Sequence, residues 1–272
     1  MISSAEQTSP HSIYFIGAGN VATHLAKAFH RAGFRIAGIY SRTEASAHAL
    51  ACQVETDYTT ALDEVKTDAD IYVVSLADDA LIHLIPQIAA GKGNALLVHT
   101  AGSIPMNVWQ EHAVHYGVLY PLQTFSKQTE PDIRQTPFFV EGCSPDAVRL
   151  LKELASALSD AVYEADSTQR RMLHLAAVFA CNFTNHLYAL AEELLRQNCL
   201  PFDALLPLID QTTQKIHRLS PAEAQTGPAA RGDKQVMQTH EALLAGNPRM
   251  QALYRLISES ITEHNTQNLC IK

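Results

Sequence analysis

The chain has few of the features that mark secreted, metal-binding or membrane-spanning proteins. Its 272 residues include five cysteines, which are scattered, with no Cys-x-x-Cys pair and no spacing typical of metal ligands. We therefore expect reduced thiols, no bound metal and a cytoplasmic location. No apolar run reaches the roughly 18 residues of a membrane-spanning helix, so we expect no membrane partner. The segment 1–12 is polar, lacks the apolar core of a signal peptide, and is expected to form a loose lead-in.

Positive charge is also scarce. The chain has 20 Lys and Arg residues against 28 Asp and Glu residues, which gives a formal net charge of −8. Because nucleic-acid-binding proteins usually present a basic face, this balance argues against a nucleic-acid partner. It does not argue against a local basic pocket for a small anionic ligand. The apolar content of 47% is sufficient for two packed domains.

What the first half of the chain does have is a regular alternation of strands and helices. Continuous apolar runs such as 71–76 and 95–99 are typical of parallel strands that are covered on both faces. The predicted strands are 13–17, 35–40, 70–76, 95–100, 115–119, 137–141 and 161–164, and the predicted helices are 20–32, 44–53, 79–90, 105–112 and 145–158. This order predicts an α/β fold with a doubly wound, mainly parallel sheet.

The last third of the chain is predicted to be all helical. No Gly or Pro occurs in 170–196, so one long helix is expected from about 166 to 198. Further helices are predicted at 202–218, 233–245 and 248–265. We expect two domains, 1–164 and 165–272, of which the second contributes to substrate binding and forms a homodimer through surplus apolar positions.

The first predicted turn carries the clearest motif. An apolar strand runs into Gly-Ala-Gly-Asn-Val-Ala at 17–22, and an amphipathic helix follows. Strand, glycine-rich turn and helix in this order are the dinucleotide-binding fingerprint of Rossmann-like domains, in which the helix N-terminus holds the pyrophosphate. The predicted cofactor contacts are Gly17, Ala18, Gly19, Asn20 and Val21.

The end of the second predicted strand indicates which dinucleotide binds. NAD-binding domains usually have an acidic residue there, which bonds the ribose 2′-hydroxyl. This chain has Ser41, Arg42 and Thr43 instead. A guanidinium between two hydroxyl groups suits a 2′-phosphate, so we predict NADP as the cofactor. The alternative is that Arg42 is a solvated surface residue.

Later strand ends supply further candidates, because ligands of open α/β sheets bind at the carboxyl edge. Ser75 and Leu76 follow one apolar run, and His99 and Thr100 end the next. We predict cofactor contacts for Ser75, Leu76 and Thr100 and a substrate contact for His99. The alternative for His99 and Thr100 is a hydrogen-bonded strand end.

The long helix carries polar residues on an otherwise apolar stretch. His174 and Asn182 fall on one stripe, because they are separated by two steps of four residues. We predict that both are catalytic, although a satisfied core histidine is the alternative for His174. A Gly- and Pro-containing loop near 226–233 offers Thr226 and Arg231 for an anionic substrate group. The alternative there is a helix connector in which Asp233 caps the next helix.

Together these motifs resemble a family of NADP oxidoreductases that join a Rossmann-like N-terminal domain to a C-terminal domain of unknown function (DUF2520). The resemblance rests on 17–22, 41–43, 99–103, 120–125, 174–182 and 226–233, and it spans nearly the whole chain. It implies a helical C-terminal domain related to those of 6-phosphogluconate dehydrogenase and pyrroline-5-carboxylate reductase, and a dimer. The wider β-hydroxyacid dehydrogenase group uses a Lys on the equivalent long helix, but this chain has no Lys between Lys152 and Lys215.

The expected function is therefore reduction of a small carbonyl or imine compound that carries a carboxylate, with NADPH as the hydride donor. His174 would serve as the general acid and Asn182 would orient the substrate or the nicotinamide. Two alternatives stay open. The protein could bind NADP without turnover, as a sensor or scaffold, or it could act with a deazaflavin cofactor.

The first testable prediction concerns Arg42. Arg42→Ala should weaken NADPH binding roughly ten- to a hundredfold, because a charge-assisted pair with phosphate contributes about 1.5–3 kcal/mol. Binding of NADH should change little. Calorimetry with both cofactors checks this, and equal affinities of the unmodified protein for NADPH and NADH would contradict the assignment.

Overall fold

A computed structural model describes the backbone of residues 11–271 and the side chains of residues 11–266. The predicted lead-in therefore lies largely outside the described residues, and Ser12 already belongs to the first strand. None of the described helices is both long enough and apolar enough to cross a membrane.

The described strands form one eight-stranded sheet with the order β3-β2-β1-β4-β5-β6-β7-β8. Neighbouring strands are parallel except β6 and β7, which are antiparallel. The strands are β1 (Ser12–Ile16), β2 (Arg35–Tyr40), β3 (Tyr58–Thr59), β4 (Ile71–Val74), β5 (Leu96–His99), β6 (His115–Pro121), β7 (Phe138–Gly142) and β8 (Val162–Glu164). The first six strands have the Rossmann order, whose direction of growth reverses between β1 and β4. The predicted fold class is confirmed.

The described helices are α1 (Asn20–Arg31), α2 (Glu44–Gln53), α3 (Asp78–Ala89), α4 (Pro145–Leu158), α5 (Ser167–Ala177), α6 (Thr184–Gln197), α7 (Leu206–Ile216), α8 (Pro221–Ala224), α9 (Pro228–Arg231), α10 (Lys234–Leu243) and α11 (Pro248–Ile271). Helices α1 and α4 pack on one face of the sheet and α3 packs on the other. Alternate residues of β1 enter two different cores. Phe15 packs with Leu25 of α1 and Leu151 of α4, whereas Ile16 packs with Leu81 of α3. This alternation is the period-two pattern of a strand covered on both faces.

One observed strand was not predicted, and two predicted helices differ from the structure. The two-residue strand β3 is too short to leave a pattern in the sequence. The predicted helix 105–112 is only a 3-10 turn, Met106–Trp109, in which the indole of Trp109 is fully buried. The predicted long helix is interrupted by a π-helical segment, Val178–Phe183. A π segment contains one residue more per hydrogen-bonded turn, so positions on its two sides do not keep a four-residue stripe.

The chain divides into two compact units, the first ending at Asn182 and the second beginning at Phe183. This division falls inside the π segment, later than the predicted domain boundary between 164 and 165. The predicted boundary between 164 and 165 coincides with the end of the last strand. That it separates a cofactor-binding domain from a substrate-binding domain stays a prediction.

A buried ion pair fixes α5 to the sheet within the first unit. Arg170 of α5 is fully buried and forms a short ion pair with Glu141 of β7. The same guanidinium donates to the carbonyl of Ile104 at 2.6 Å. Ser167 donates to both carboxylate oxygens of Glu141, at 3.0 and 2.8 Å, and its hydroxyl accepts from the amide of Met106. Helix α5 is therefore tied to β7 and to the segment after β5.

We predict that Glu141→Ala lowers the free energy of unfolding by about 3–5 kcal/mol, because it leaves the Arg170 guanidinium buried without its carboxylate. The matched control is Asp160→Ala. Asp160 pairs with Arg134 at 2.9 Å, but both side chains are more than half exposed, so its loss should cost about 0–1 kcal/mol. Urea unfolding of both variants gives the comparison. Equal losses would mean that the buried pair does not hold α5 in place.

Candidate functional site

The candidate site lies at the carboxyl edge of the sheet, where backbone hydrogen bonds bring four strand ends side by side. The amide of Gly17 donates to the Tyr40 carbonyl at the end of β2, at 2.8 Å. The amide of Ser75, after β4, donates to the last carbonyl of β1 at 2.8 Å, and the amide of Thr100, after β5, donates to the last carbonyl of β4 at 3.2 Å. The predicted cofactor residues of the first unit are therefore neighbours, at the crevice where ligands of such sheets bind.

The two glycines of the turn meet different requirements. Gly17 has φ +119°, and a Cβ atom there would lie 2.2 Å from the carbonyl oxygen of Ser75. Folding alone therefore demands glycine at this position. A Cβ atom at Gly19 would meet no atom of the described residues within 4 Å. Since no described residue fills the space beside Gly19, the glycine there keeps a surface open to a ligand.

Helix α1 begins at this turn without a cap of its own. Gly19 is the N-cap residue, and no described side chain caps the helix. The first turn contains no acidic residue. The amides of Asn20 and Val21 have no intrahelical acceptor, as at every helix start. Together with the helix dipole they form a site for an anion. Ala18 is buried, so its contribution to binding can come only through its backbone.

The segment predicted to choose the dinucleotide lies beside this turn. Ser41 is half-buried, and Arg42 and Thr43 are exposed. Within the described part of the chain, no carboxylate forms an ion pair with Arg42. Thr43 is the N-cap residue of α2, and its hydroxyl makes no cap hydrogen bond. The acidic residue nearest in sequence, Glu44, is the first residue of α2.

Across the turn, Ser75 and Leu76 are half-buried, whereas the Thr100 side chain is buried. Asp78 stands in the first turn of α3 and accepts a short hydrogen bond from Ser103. This contact joins the segments after β4 and β5. The negative charge of Asp78 also suits the positive end of the α3 helix dipole.

His99 is a packing residue in this structure. Its side chain is fully buried and its ring stacks on Trp109, with 6.5 Å between the ring centroids. Its Nδ1 accepts the amide proton of Ala101 at 3.2 Å. Burial, together with the nearby Arg170 guanidinium, lowers the pKa of His99 to about 3, so the imidazole is neutral at physiological pH. The substrate contact predicted for His99 is not open to this buried ring, and the alternative of a hydrogen-bonded strand end describes it better.

His174 lies beside Tyr120, close to the same edge. Its Nδ1 is 3.1 Å from the phenol oxygen of Tyr120. Burial raises the pKa of Tyr120, partly offset by the charge of Arg170, so the phenol keeps its proton. Gly102 lies directly against both rings, because a Cβ atom there would be 2.8 Å from Nδ1 of His174 and 2.9 Å from Cζ of Tyr120. The pair thus joins strands β5 and β6 to helix α5.

The other residues predicted to act on the substrate lie in the π segment and in the second unit. Asn182 is exposed and lies inside the π segment, so it does not share a regular helical stripe with His174. Thr226 and Arg231 belong to the second unit and are both exposed. Asp233 accepts from the amide of Val236 at 3.2 Å and caps α10, as the connector interpretation expects. Substrate contacts by Thr226 and Arg231 stay predictions.

The sequence interpretation missed the residues that position His174. Arg170 precedes His174 by four residues, so both lie on the face of α5 that meets the sheet domain. The sequence feature that could have indicated this role was an arginine four residues before His174 on an amphipathic helix. Nothing in the local sequence indicated that its partner is Glu141, because the pair is formed by the tertiary fold.

The fold and this edge define a protein with a Rossmann-like domain. Two family descriptions match the chain, a Rossmann-like domain over residues 2–122 and a domain of unknown function (DUF2520) over residues 136–261. A crystal structure of a "putative NADP oxidoreductase" from Bacteroides fragilis is 58% identical, with a TM-score of 0.91, over 94% of this chain and 99% of that one. The chain belongs to the family that joins a Rossmann-like domain to a DUF2520 domain. This confirms the resemblance seen in its motifs.

More distant structures share the fold. An imine reductase from Myxococcus stipitatus, in complex with NADP+, is 19% identical with a TM-score of 0.65, over 96% of this chain and 94% of that one. A pyrroline-5-carboxylate reductase from Coxiella burnetii is 14% identical with a TM-score of 0.58, over 94% and 98%. No curated protein matches the chain significantly.

The two glycines of the turn give a matched pair of variants. Gly17→Ala should lower the melting temperature strongly, because its Cβ atom meets the Ser75 carbonyl. Gly19→Ala should leave the melting temperature nearly unchanged and weaken dinucleotide binding at least about tenfold. Thermal unfolding and calorimetry separate the two effects, and a Gly19→Ala protein that binds normally would contradict the assigned ligand surface.

Proposed function

We propose that the protein is an NADP-dependent oxidoreductase that reduces a small carbonyl or imine compound carrying a carboxylate. The observation that carries this proposal is the His174–Tyr120 pair, a proton donor at the same sheet edge as a glycine-rich dinucleotide turn. The names of the related structures support the reaction class, since they include an NADP oxidoreductase, imine reductases and pyrroline-5-carboxylate reductases.

NADP is the cofactor that the residues fit best. The open surface at Gly19 and the start of α1 suit a pyrophosphate. The guanidinium of Arg42, which forms no ion pair with a described carboxylate, suits a 2′-phosphate. When bound, NADPH supplies the hydride. One related imine reductase variant is in complex with NAD+, which makes the choice between the cofactors a matter for direct measurement.

The chain's own part in the chemistry is to hold and donate a proton. Hydride addition to the carbon of a C=O or C=N bond leaves an electron pair on the oxygen or nitrogen, and this atom takes up a proton. We take the Tyr120 phenol as the donor to Nδ1 of His174, because its raised pKa keeps the phenol protonated. In that tautomer Nε2 of the ring carries the hydrogen and is the proposed proton donor. An imine that arrives protonated needs less help, because it already carries the proton.

Asn182, Thr226 and Arg231 complete the proposal as orienting groups. Asn182 would hold the substrate or the nicotinamide amide, and Arg231 with Thr226 would hold the substrate carboxylate. All three side chains are exposed in the single chain and available for such contacts. Ser75, Leu76 and Thr100 would border the cofactor at the ends of β4 and β5.

The test is turnover by two variants of the pair. His174→Gln and Tyr120→Phe should each lower the rate of NADPH oxidation at least about a hundredfold with a panel of keto and imino acids. NADPH affinity and melting temperature should stay close to those of the unmodified protein. His112→Gln, which changes an exposed histidine outside the site, is the matched control.

The result also separates the alternative function. NADPH binding without turnover of any compound in the panel would favour a sensor or scaffold. Variants that unfold early, while their folded fraction turns over normally, would make the pair structural.

We further propose that the protein is a cytoplasmic homodimer formed by its second unit. Among the described residues after Asn182, only Ala229, Leu244 and Met250 are buried apolar residues. In contrast, Leu208 is 63% exposed and Leu243 is 79% exposed. So much exposed apolar surface on a helical unit is typical of an interface.

Light scattering should therefore give twice the 29.8 kDa mass of one chain at micromolar concentration. Leu208→Glu should shift the protein toward the monomer, because it places a charge on the apolar surface. Thr212→Glu, one turn further along α7, tests whether any added charge on this helix has the same effect. A monomeric unmodified protein would contradict the proposal.

A further inference from the structure

A segment after β6 lies across the dinucleotide turn, and we call residues 125–130 the strap. Asn20 donates through its side-chain amide to the carbonyl of Phe125 at 3.0 Å. The ring of His24 stacks on the Phe125 ring, with 5.3 Å between centroids, and its Nε2 lies 2.8 Å from the carbonyl of Ser126. Glu130, at the other end of the strap, forms a short ion pair with Arg31. The strap is thus joined to α1 along the length of the helix.

Lys127 brings a positive charge from the strap onto the turn. Its ammonium donates to the carbonyl oxygen of Ala18, between the two fingerprint glycines, at 2.8 Å. Among the described residues no carboxylate forms an ion pair with Lys127. An exposed lysine thus has a neutral backbone acceptor as its partner, at the place where the proposed cofactor carries negative charge.

The surroundings of this ammonium favour an anion. The first turn of α1 contains no acidic residue, and the space beside Gly19 is open. A hydrogen bond from an ammonium to a phosphate is stronger than one to a neutral carbonyl, because both partners are charged. A phosphate that arrives at the turn can therefore take the place of the Ala18 carbonyl as the acceptor of Lys127.

We propose that Lys127 is a pyrophosphate-binding residue of the dinucleotide site, which the strap holds over the glycine-rich turn. The bonds of Asn20 and His24 position the strap, and Lys127 supplies the charge. This inference rests on the proposed dinucleotide function and adds to it a cationic contact from outside the βαβ unit.

The experiment compares three ligands and two variants by calorimetry. NADPH and ADP-ribose contain a pyrophosphate, whereas adenosine 2′-monophosphate does not. Lys127→Met removes both the charge and the hydrogen bond to Ala18, and Lys127→Gln removes the charge but keeps a donor. The matched control is Lys152→Met, which alters an exposed lysine of α4 that pairs with Glu164 of β8.

Both Lys127 variants should weaken NADPH and ADP-ribose binding roughly ten- to a hundredfold and leave adenosine 2′-monophosphate unchanged. Full recovery of NADPH binding in Lys127→Gln, or equal losses for all three ligands, would overturn the proposal, because Lys127 would then only tie the strap to the turn. Unchanged binding in both variants would overturn it as well. If the unmodified protein binds none of the three ligands, the proposed dinucleotide function itself fails.

Discussion

The ion pair between Arg170 and Glu141 is the interaction on which the geometry of the candidate site depends. It buries the guanidinium of Arg170 between helix α5 and strand β7. A buried charge is costly unless its partners are held in place, so this pair fixes one rotation of α5 against β7. One turn later that rotation places His174 against Tyr120 and Gly102. Arg170 also helps to keep His99 neutral, so one cation influences both histidines near the edge.

An acidic protein that binds a highly anionic cofactor has to concentrate its few cations. Here the formal charge is −8, yet two cations belong to the proposed dinucleotide site. Arg42 follows strand β2, and Lys127 donates to the carbonyl of Ala18 in the turn. Neither forms an ion pair with a carboxylate in the described part of the chain, in contrast to Arg31, which binds Glu130. The two cations reach the crevice from different parts of the chain, which is why composition alone does not reveal a binding site of this kind.

Local sequence was sufficient for elements whose boundaries are set by local chemistry. The bounds of β2, α2 and α4 match the prediction, and α4 begins where Ser144 caps it. The helix predicted at 105–112 is only the 3-10 turn Met106–Trp109, and its Trp109 is buried beside His99. Such a tertiary contact leaves no pattern in the local sequence. The interruption in the long helix and the partner of Arg170 could not be predicted either, since both depend on tertiary contacts that leave no periodic pattern.

The two glycines of the fingerprint are required for different reasons. Position 17 is closed by the protein's own backbone, whereas position 19 faces open space. A related domain with this fold but no dinucleotide site would still need glycine at position 17, whereas position 19 could carry a side chain. Among relatives of this chain, a side chain at position 19 together with a retained Gly17 would therefore indicate a domain that keeps the fold but does not bind a dinucleotide.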